Sequence, residues 1–164
     1  FDNIFIKSGI SLKNLIVLDV GCNIGMNSYY ALSRGAKYLY GIDKFSIAKK
    51  TTELLYSLGL TRFEIYGLDL NSKEDLNKLK SSIKENIDII FYCSVDGHIG
   101  YPAEINKLGF KYIVHEGHVG TTIEENYENL ISHNWLLNGS SKIIFKTYIS
   151  DGDSISRPLF IASK

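Results

Sequence analysis

Leu15-Ile-Val-Leu-Asp-Val-Gly-Cys-Asn-Ile-Gly25 is the stretch from which the rest of the chain is read. An apolar run carries an acid near its end, Gly21 and Gly25 follow, and a helical pattern begins directly afterwards. Strand, glycine turn and helix in that order build a ligand seat in an α/β domain. Glycine removes the side chain where a ligand approaches the backbone. The first turn of the next helix aims its unpaired N–H groups at the same point.

Outward from this stretch, apolar runs alternate with amphipathic ones. Strands are predicted at Ile16–Val20, Tyr38–Ile42, Phe63–Tyr66, Ile87–Cys93 and Phe110–His115. Helices are predicted at Asn27–Arg34, stopped by Gly35, and at Ser46–Leu58, stopped by Gly59. Further helices are predicted at Ser72–Asn86, capped by Ser72, at Pro102–Leu108, and from Thr121 to about His133. Lys142–Tyr148 and Arg157–Ala162 read as two closing strands around Ser150-Asp-Gly-Asp-Ser154, which has hairpin chemistry. Five βα units followed by a hairpin predict a mostly parallel sheet with helices on both faces. Residues 1–14 read as a leader segment with one helical turn, and 15–164 as a single domain.

The chain has 164 residues, enough to bury a real core, with 45% hydrophobic and 22% charged residues. Its 18 basic and 18 acidic residues cancel, so net charge does not indicate a nucleic-acid partner. No apolar run approaches the roughly 20 residues of a membrane span, and no signal peptide is visible. Cys22 and Cys93 are too few for a disulfide scaffold and fit no zinc spacing, which reads as a reducing, cytoplasmic setting. A chain that begins at Phe1 reads as a piece of a longer protein.

Asp19-Val-Gly21-Cys-Asn23-Ile-Gly25 resembles the D-x-G-x-G-x-G motif of class I S-adenosylmethionine-dependent methyltransferases, and the resemblance runs from about Leu15 to Ser163. It implies an α/β, doubly wound, Rossmann-like three-layer sandwich whose seven-stranded, mostly parallel sheet has an antiparallel seventh strand. It also implies S-adenosylmethionine as cofactor. Asn23 departs from the middle glycine, but Asn tolerates positive φ better than other side-chain-bearing residues. By resemblance, Gly21 and Gly25 lie against the methionine part and ribose, with Cys22 packed at the same seat, and Asp19 lies near the cofactor ammonium. Asp43, followed by Lys44, takes the ribose hydroxyls. Asp69 takes the adenine amino group with Leu70 against the ring, and Cys93 and Ser94 hold the methionine end. The residues themselves leave another role open, since an Asp at a strand end is commonly a cap or turn residue. A dinucleotide fingerprint, G-x-G-x-x-G, fails at Asn23 and Met26, and a phosphate-binding loop lacks its Gly-Lys-Ser/Thr.

The acceptor side is expected in the loops after the fourth and fifth strands, Ser94-Val-Asp-Gly-His-Ile-Gly100 and His115-Glu-Gly-His118. Transfer to an alcohol or amine needs the acceptor held in line and its proton removed, which His beside a carboxylate does at neutral pH. His98 is the candidate base, with Glu116 and His118 binding or orienting the acceptor; a helix-capping role for His98 stays open. His115, inside an apolar strand, reads as a buried, hydrogen-bonded histidine. No metal is expected. Ser94-Val-x-x-His98-Ile and Arg157-Pro-Leu-Phe160 resemble bacterial methyltransferases of sugar and polysaccharide modification. The predicted activity is O- or N-methylation of a small molecule or sugar. The alternatives are a catalytically silent binding module of the same fold, and an RNA methyltransferase whose recognition domain lies elsewhere.

Overall fold

The computed structural model describes residues 2–117, 131–140, 142–150 and 156–164. They fall into two units, one of residues 12–91 and one of residues 1–11 with 92–164.

In the first unit, β1 (Ile16–Val20) is buried along its whole length, as an apolar run covered on both faces must be. It leads through the glycine turn into α2 (Met26–Ser33), then β2 (Tyr38–Asp43), α3 (Phe45–Ser57), β3 (Phe63–Gly67) and α4 (Lys73–Ser82). β2 runs parallel to β1, with Val20 opposite Ile42, and parallel to β3, with Asp43 opposite Gly67. The strands therefore end together. Val17, Leu18, Leu39, Ile42, Leu55 and Leu79 form the buried core beneath that end. Ser72 caps α4 as its sequence predicts, its hydroxyl accepting the Asp75 N–H at 3.3 Å. The helix stops at Ser82, short of the predicted Asn86, because Ile83 turns to an extended conformation with ψ 114°. β4 (Ile89–Cys93) begins two residues later than predicted.

The second unit opens with α1 (Asp2–Ser8), which buries Ile4 and Phe5 and lies against β6 (Lys142–Ser150). After β4 come two short helices, α5 (Asp96–Ile99) and α6 (Ala103–Asn106), then β5 (Tyr112–Glu116). The helix predicted from Thr121 lies mostly outside the described residues. What is described, α7 (Ile131–Gly139), continues well past His133 and buries Trp135 and Leu136, which the sequence had not placed in a helix. β6 and β7 (Ser156–Ser163) form the predicted antiparallel hairpin, and β7 also runs antiparallel to β5.

The seven strands form one sheet in the order β3-β2-β1-β4-β5-β7-β6, six parallel and β7 antiparallel, the Rossmann-like α/β fold expected from sequence. Among the described residues no helix is long and apolar enough to cross a membrane.

Candidate functional site

The turn between β1 and α2 is shaped by three left-handed residues, Gly21 (φ 69°), Asn23 (φ 47°) and Gly25 (φ 83°). Asn at the middle position thus holds the conformation its chemistry permits. At Gly25 a side chain is excluded twice, by φ and by space, since a Cβ there would lie 2.9 Å from Thr51 Cγ2. The N–H groups of Gly21 and Cys22 both donate to the Ile42 carbonyl, at 2.8 and 3.0 Å. The Asp43 carboxylate closes the turn. One oxygen accepts the Asn23 N–H at 2.8 Å and the other the Lys44 N–H at 2.7 Å, tying the glycine turn to the start of α3.

Asp19 lies beneath this turn, 1% exposed, and accepts a 2.6 Å hydrogen bond from the Ser28 hydroxyl. Burial pushes its carboxyl up to about 6, the Ser28 bond pulling down and the charge of Asp43 adding to the rise. Cys22 is buried, and burial pushes its thiol up as well, so it serves as a small packing residue. Lys44 is exposed at the start of α3. Asp69 is exposed in the loop after β3, where its carboxylate accepts the Asn71 N–H at 3.0 Å; Leu70 beside it is buried. That loop is drawn to Asp43 by the Leu68 N–H, which donates to the Asp43 carbonyl at 2.9 Å. Asp19, Gly21, Cys22, Asn23, Gly25, Asp43, Lys44, Asp69 and Leu70 thus share the carboxyl ends of β1, β2 and β3, the crevice end of an open parallel sheet.

Two residues that hold this seat escaped the sequence. Ser28 fixes Asp19, and Thr51, fully buried in α3, donates its hydroxyl to the Asn23 carbonyl and to Ile47. A buried hydroxyl inside a helix was their only local signal.

In the second unit, Cys93 is buried with its thiol toward the Val114 carbonyl at 3.8 Å. Ser94 follows with a φ of 56°, and its N–H donates to the Glu116 carbonyl at 2.8 Å. Its hydroxyl donates to Glu116 Oε1 at 3.1 Å, and Arg157 Nη1 lies 3.1 Å from that hydroxyl and 3.4 Å from Oε1. The sequence marks Arg157 as the start of a strand and as part of a resemblance motif, but not as a partner of Glu116. His98 sits exposed on α5, and His118 lies outside the described residues. His115 is fully buried, as expected. Its Nδ1–H donates to the Tyr92 carbonyl at 2.9 Å, rings of Tyr92, Tyr101, Trp135 and Phe160 surround it, and burial holds its pKa below the usual value.

No protein-family model matches the chain. Over 102 residues it is 35% identical to a tRNA U34 carboxymethyltransferase of Helicobacter acinonychis, covering 62% of this chain and 37% of that protein. Over 53 residues it is 36% identical to protein arginine N-methyltransferase 1 of Chlamydomonas reinhardtii, covering 32% of this chain and 15% of that one. The chain therefore spans well under half the length of these curated relatives. Among solved structures, magnesium protoporphyrin IX methyltransferase from Synechocystis PCC 6803 with bound S-adenosylmethionine superposes with a TM-score of 0.67 at 17% identity, covering 98% of this chain and 74% of that one. A SAM-dependent methyltransferase from Aquifex aeolicus gives 0.64 at 15%, covering 98% and 88%. The chain has the class I methyltransferase fold, and the proteins it resembles in sequence are methyltransferases.

Proposed function

We propose that this chain is the catalytic domain of an S-adenosylmethionine-dependent methyltransferase and that it methylates an oxygen or nitrogen of a small molecule or sugar. The observation that carries the reading is the turn of Gly21, Asn23 and Gly25, held open by main-chain geometry and closed by the Asp43 carboxylate. The donor set suits the cofactor. Asp43 keeps lone pairs for ribose hydroxyls beyond the two N–H groups it already accepts, and Asp69 offers an exposed carboxylate to an adenine amino group beside the apolar Leu70. Asp19 is a buried acid whose hydrogen bonds come from Ser28, and an ammonium beside it would offset its desolvation. Gly21, Cys22, Asn23 and Gly25 give main chain to the ligand, Lys44 flanks the ribose acid, and Cys93 and Ser94 contribute at the methionine end. When bound, the sulfonium supplies an electrophilic methyl carbon. The chain's own task is then to orient the acceptor and take its proton. His98 removes the proton, while Glu116 and His118 hold the acceptor.

The test is calorimetry with S-adenosylmethionine and S-adenosylhomocysteine, followed by transfer of labelled methyl to a panel of sugars, alcohols and amines. Asp43→Ala is expected to weaken cofactor binding by about 1–3 kcal/mol, because it removes ribose acceptors and loosens the turn together. Unchanged affinity places the cofactor elsewhere. His98→Ala is expected to lower turnover far more than cofactor affinity, and equal rates remove it as base. Binding with no transfer to any acceptor supports a silent module. The 102-residue match to a tRNA-modifying protein favours a second reading, an RNA acceptor, so tRNA belongs in the same panel.

A further inference from the structure

Three residues far apart in sequence meet at one atom of the second unit. Ser94 follows β4, Glu116 ends β5 and Arg157 lies near the start of β7, and both Ser94 Oγ and Arg157 Nη1 approach Glu116 Oε1. The side chains of Glu116 and Arg157 are 15% and 27% exposed, so the pair is partly desolvated and stronger than an open surface pair. The backbone is adapted to the cluster as well. Ser94 takes a left-handed φ of 56° while its N–H reaches the Glu116 carbonyl, and the next N–H, of Gly117, donates to the Pro158 carbonyl at 2.8 Å. A Cβ at Gly117 would strike Pro158 at 2.9 Å, so β5 and β7 close tightly beside the ion pair.

Both ties fall on Oε1. Among the described residues, no side chain hydrogen-bonds Oε2. A carboxylate fixed through one oxygen presents the other to a hydrogen-bond donor in a set direction. We infer that Arg157 is the positioning residue for Glu116, turning the carboxylate so that Oε2 accepts from a hydroxyl or amine N–H of the methyl acceptor. The inference rests on the reading of Glu116 as an acceptor-binding group. It specifies an acceptor with a neutral or cationic donor at that point, since an acceptor carboxylate or phosphate there would face Glu116 with like charge.

The first measurement needs no acceptor. In protein labelled at glutamate side-chain carbons, the Glu116 carboxyl resonance is assigned by its disappearance in Glu116→Gln. It is expected to move in Arg157→Met and to stay near its original position in Arg157→Lys, which retains a donor. A resonance unmoved in Arg157→Met overturns the inference. The second is methyl transfer kinetics. Glu116→Gln and Arg157→Met are each expected to raise the acceptor KM about tenfold with cofactor affinity unchanged, Arg157→Lys to recover part of the loss, and the double variant to be no worse than Glu116→Gln. If Glu116→Gln alters nothing, the reading of Glu116 itself fails. If Glu116→Gln raises KM and Arg157→Met does not, the positioning role fails alone. Should Arg157→Met not fold, the same resonance is followed in Arg157→Gln and Arg157→Lys: movement larger in Arg157→Gln than in Arg157→Lys supports the positioning role, and a resonance unmoved in Arg157→Gln overturns it.

Discussion

At Thr51 one hydroxyl joins a helix to the ligand turn. It is fully buried and donates both to the Asn23 carbonyl in the turn and to Ile47 one helical turn back. Thr51→Val keeps the shape and removes the donor, leaving the Asn23 carbonyl without that partner. The expected result is a loss of about 1–2 kcal/mol in urea unfolding together with weaker binding of S-adenosylhomocysteine. Unchanged binding would mean the turn is held by Asp43 alone. This division of labour explains how much of the seat was legible. Gly21, Asn23 and Gly25 announced their backbone conformation through residue type, and Asp43 and Asp69 announced strand ends, so local chemistry sufficed. Ser28 and Thr51 act across 9 and 28 residues of chain, and their partners exist only once α2 and α3 have docked. Arg157 meets Glu116 across 41 residues through a hairpin, a pairing no local pattern encodes.

Elements are seated by close backbone approaches that leave no room for a Cβ. Gly67 ends β3 directly against the start of α3, where an added Cβ would stand 2.7 Å from Phe45 Cα and 2.8 Å from Phe45 Cδ2. Backbone cannot yield as a side-chain tip does, so Gly67→Ala is expected to push the first turn of α3 away from β3. A loss of about 1–3 kcal/mol in thermal or urea unfolding is anticipated, with Gly109→Ala as a control for glycine loss where no atom lies within 4 Å. Equal costs for the two variants would assign the effect to the loss of glycine itself and not to the contact with Phe45, because neither glycine takes a left-handed φ. The strands and α2 and α3 were readable because apolar period and glycine stops agree there. α4 was read too long because Leu76, Leu79 and Ile83 continue the helical spacing, whereas the chain turns at Ile83 and nearby Glu85 is engaged by Lys37. α7 runs past its predicted end near His133 because Trp135 and Leu136 are buried and the Asn106 side chain donates to the Trp135 carbonyl at 2.7 Å. Tertiary contact overrode local pattern in both cases.

Among the described residues, a buried carboxyl in one unit and a buried imidazole in the other pull stability in opposite directions with pH. Asp19 moves from 3.8 to about 6 on folding, chiefly through burial. The native state therefore binds more protons than the unfolded chain between about pH 4 and 6, and stability falls as pH rises through that window. His115 is held below its usual 6.5 by burial, so its unfolded form takes up protons first and stability is lost as pH falls below about 6.5. The native profile is thus flattened on its acid side by two compensating slopes. Substitution separates them. Asp19→Asn keeps a carbonyl oxygen for the Ser28 hydroxyl but cannot ionise, so it is expected to be more stable than the native chain at pH 7.5 by up to about 3 kcal/mol, the equivalent of the Asp19 shift. The gain should shrink through pH 6 and vanish below pH 4, where both side chains are neutral. His115→Gln is expected to be less stable than the native chain at pH 7.5, from lost packing, yet to lose the acid-side decline. Urea unfolding of the three proteins at half-unit steps from pH 4 to 8 measures all of this. A gap between Asp19→Asn and the native chain that stays constant over that range would mean Asp19 does not titrate with folding, and its ionised form would then be stabilised inside the protein by something other than the Ser28 hydroxyl.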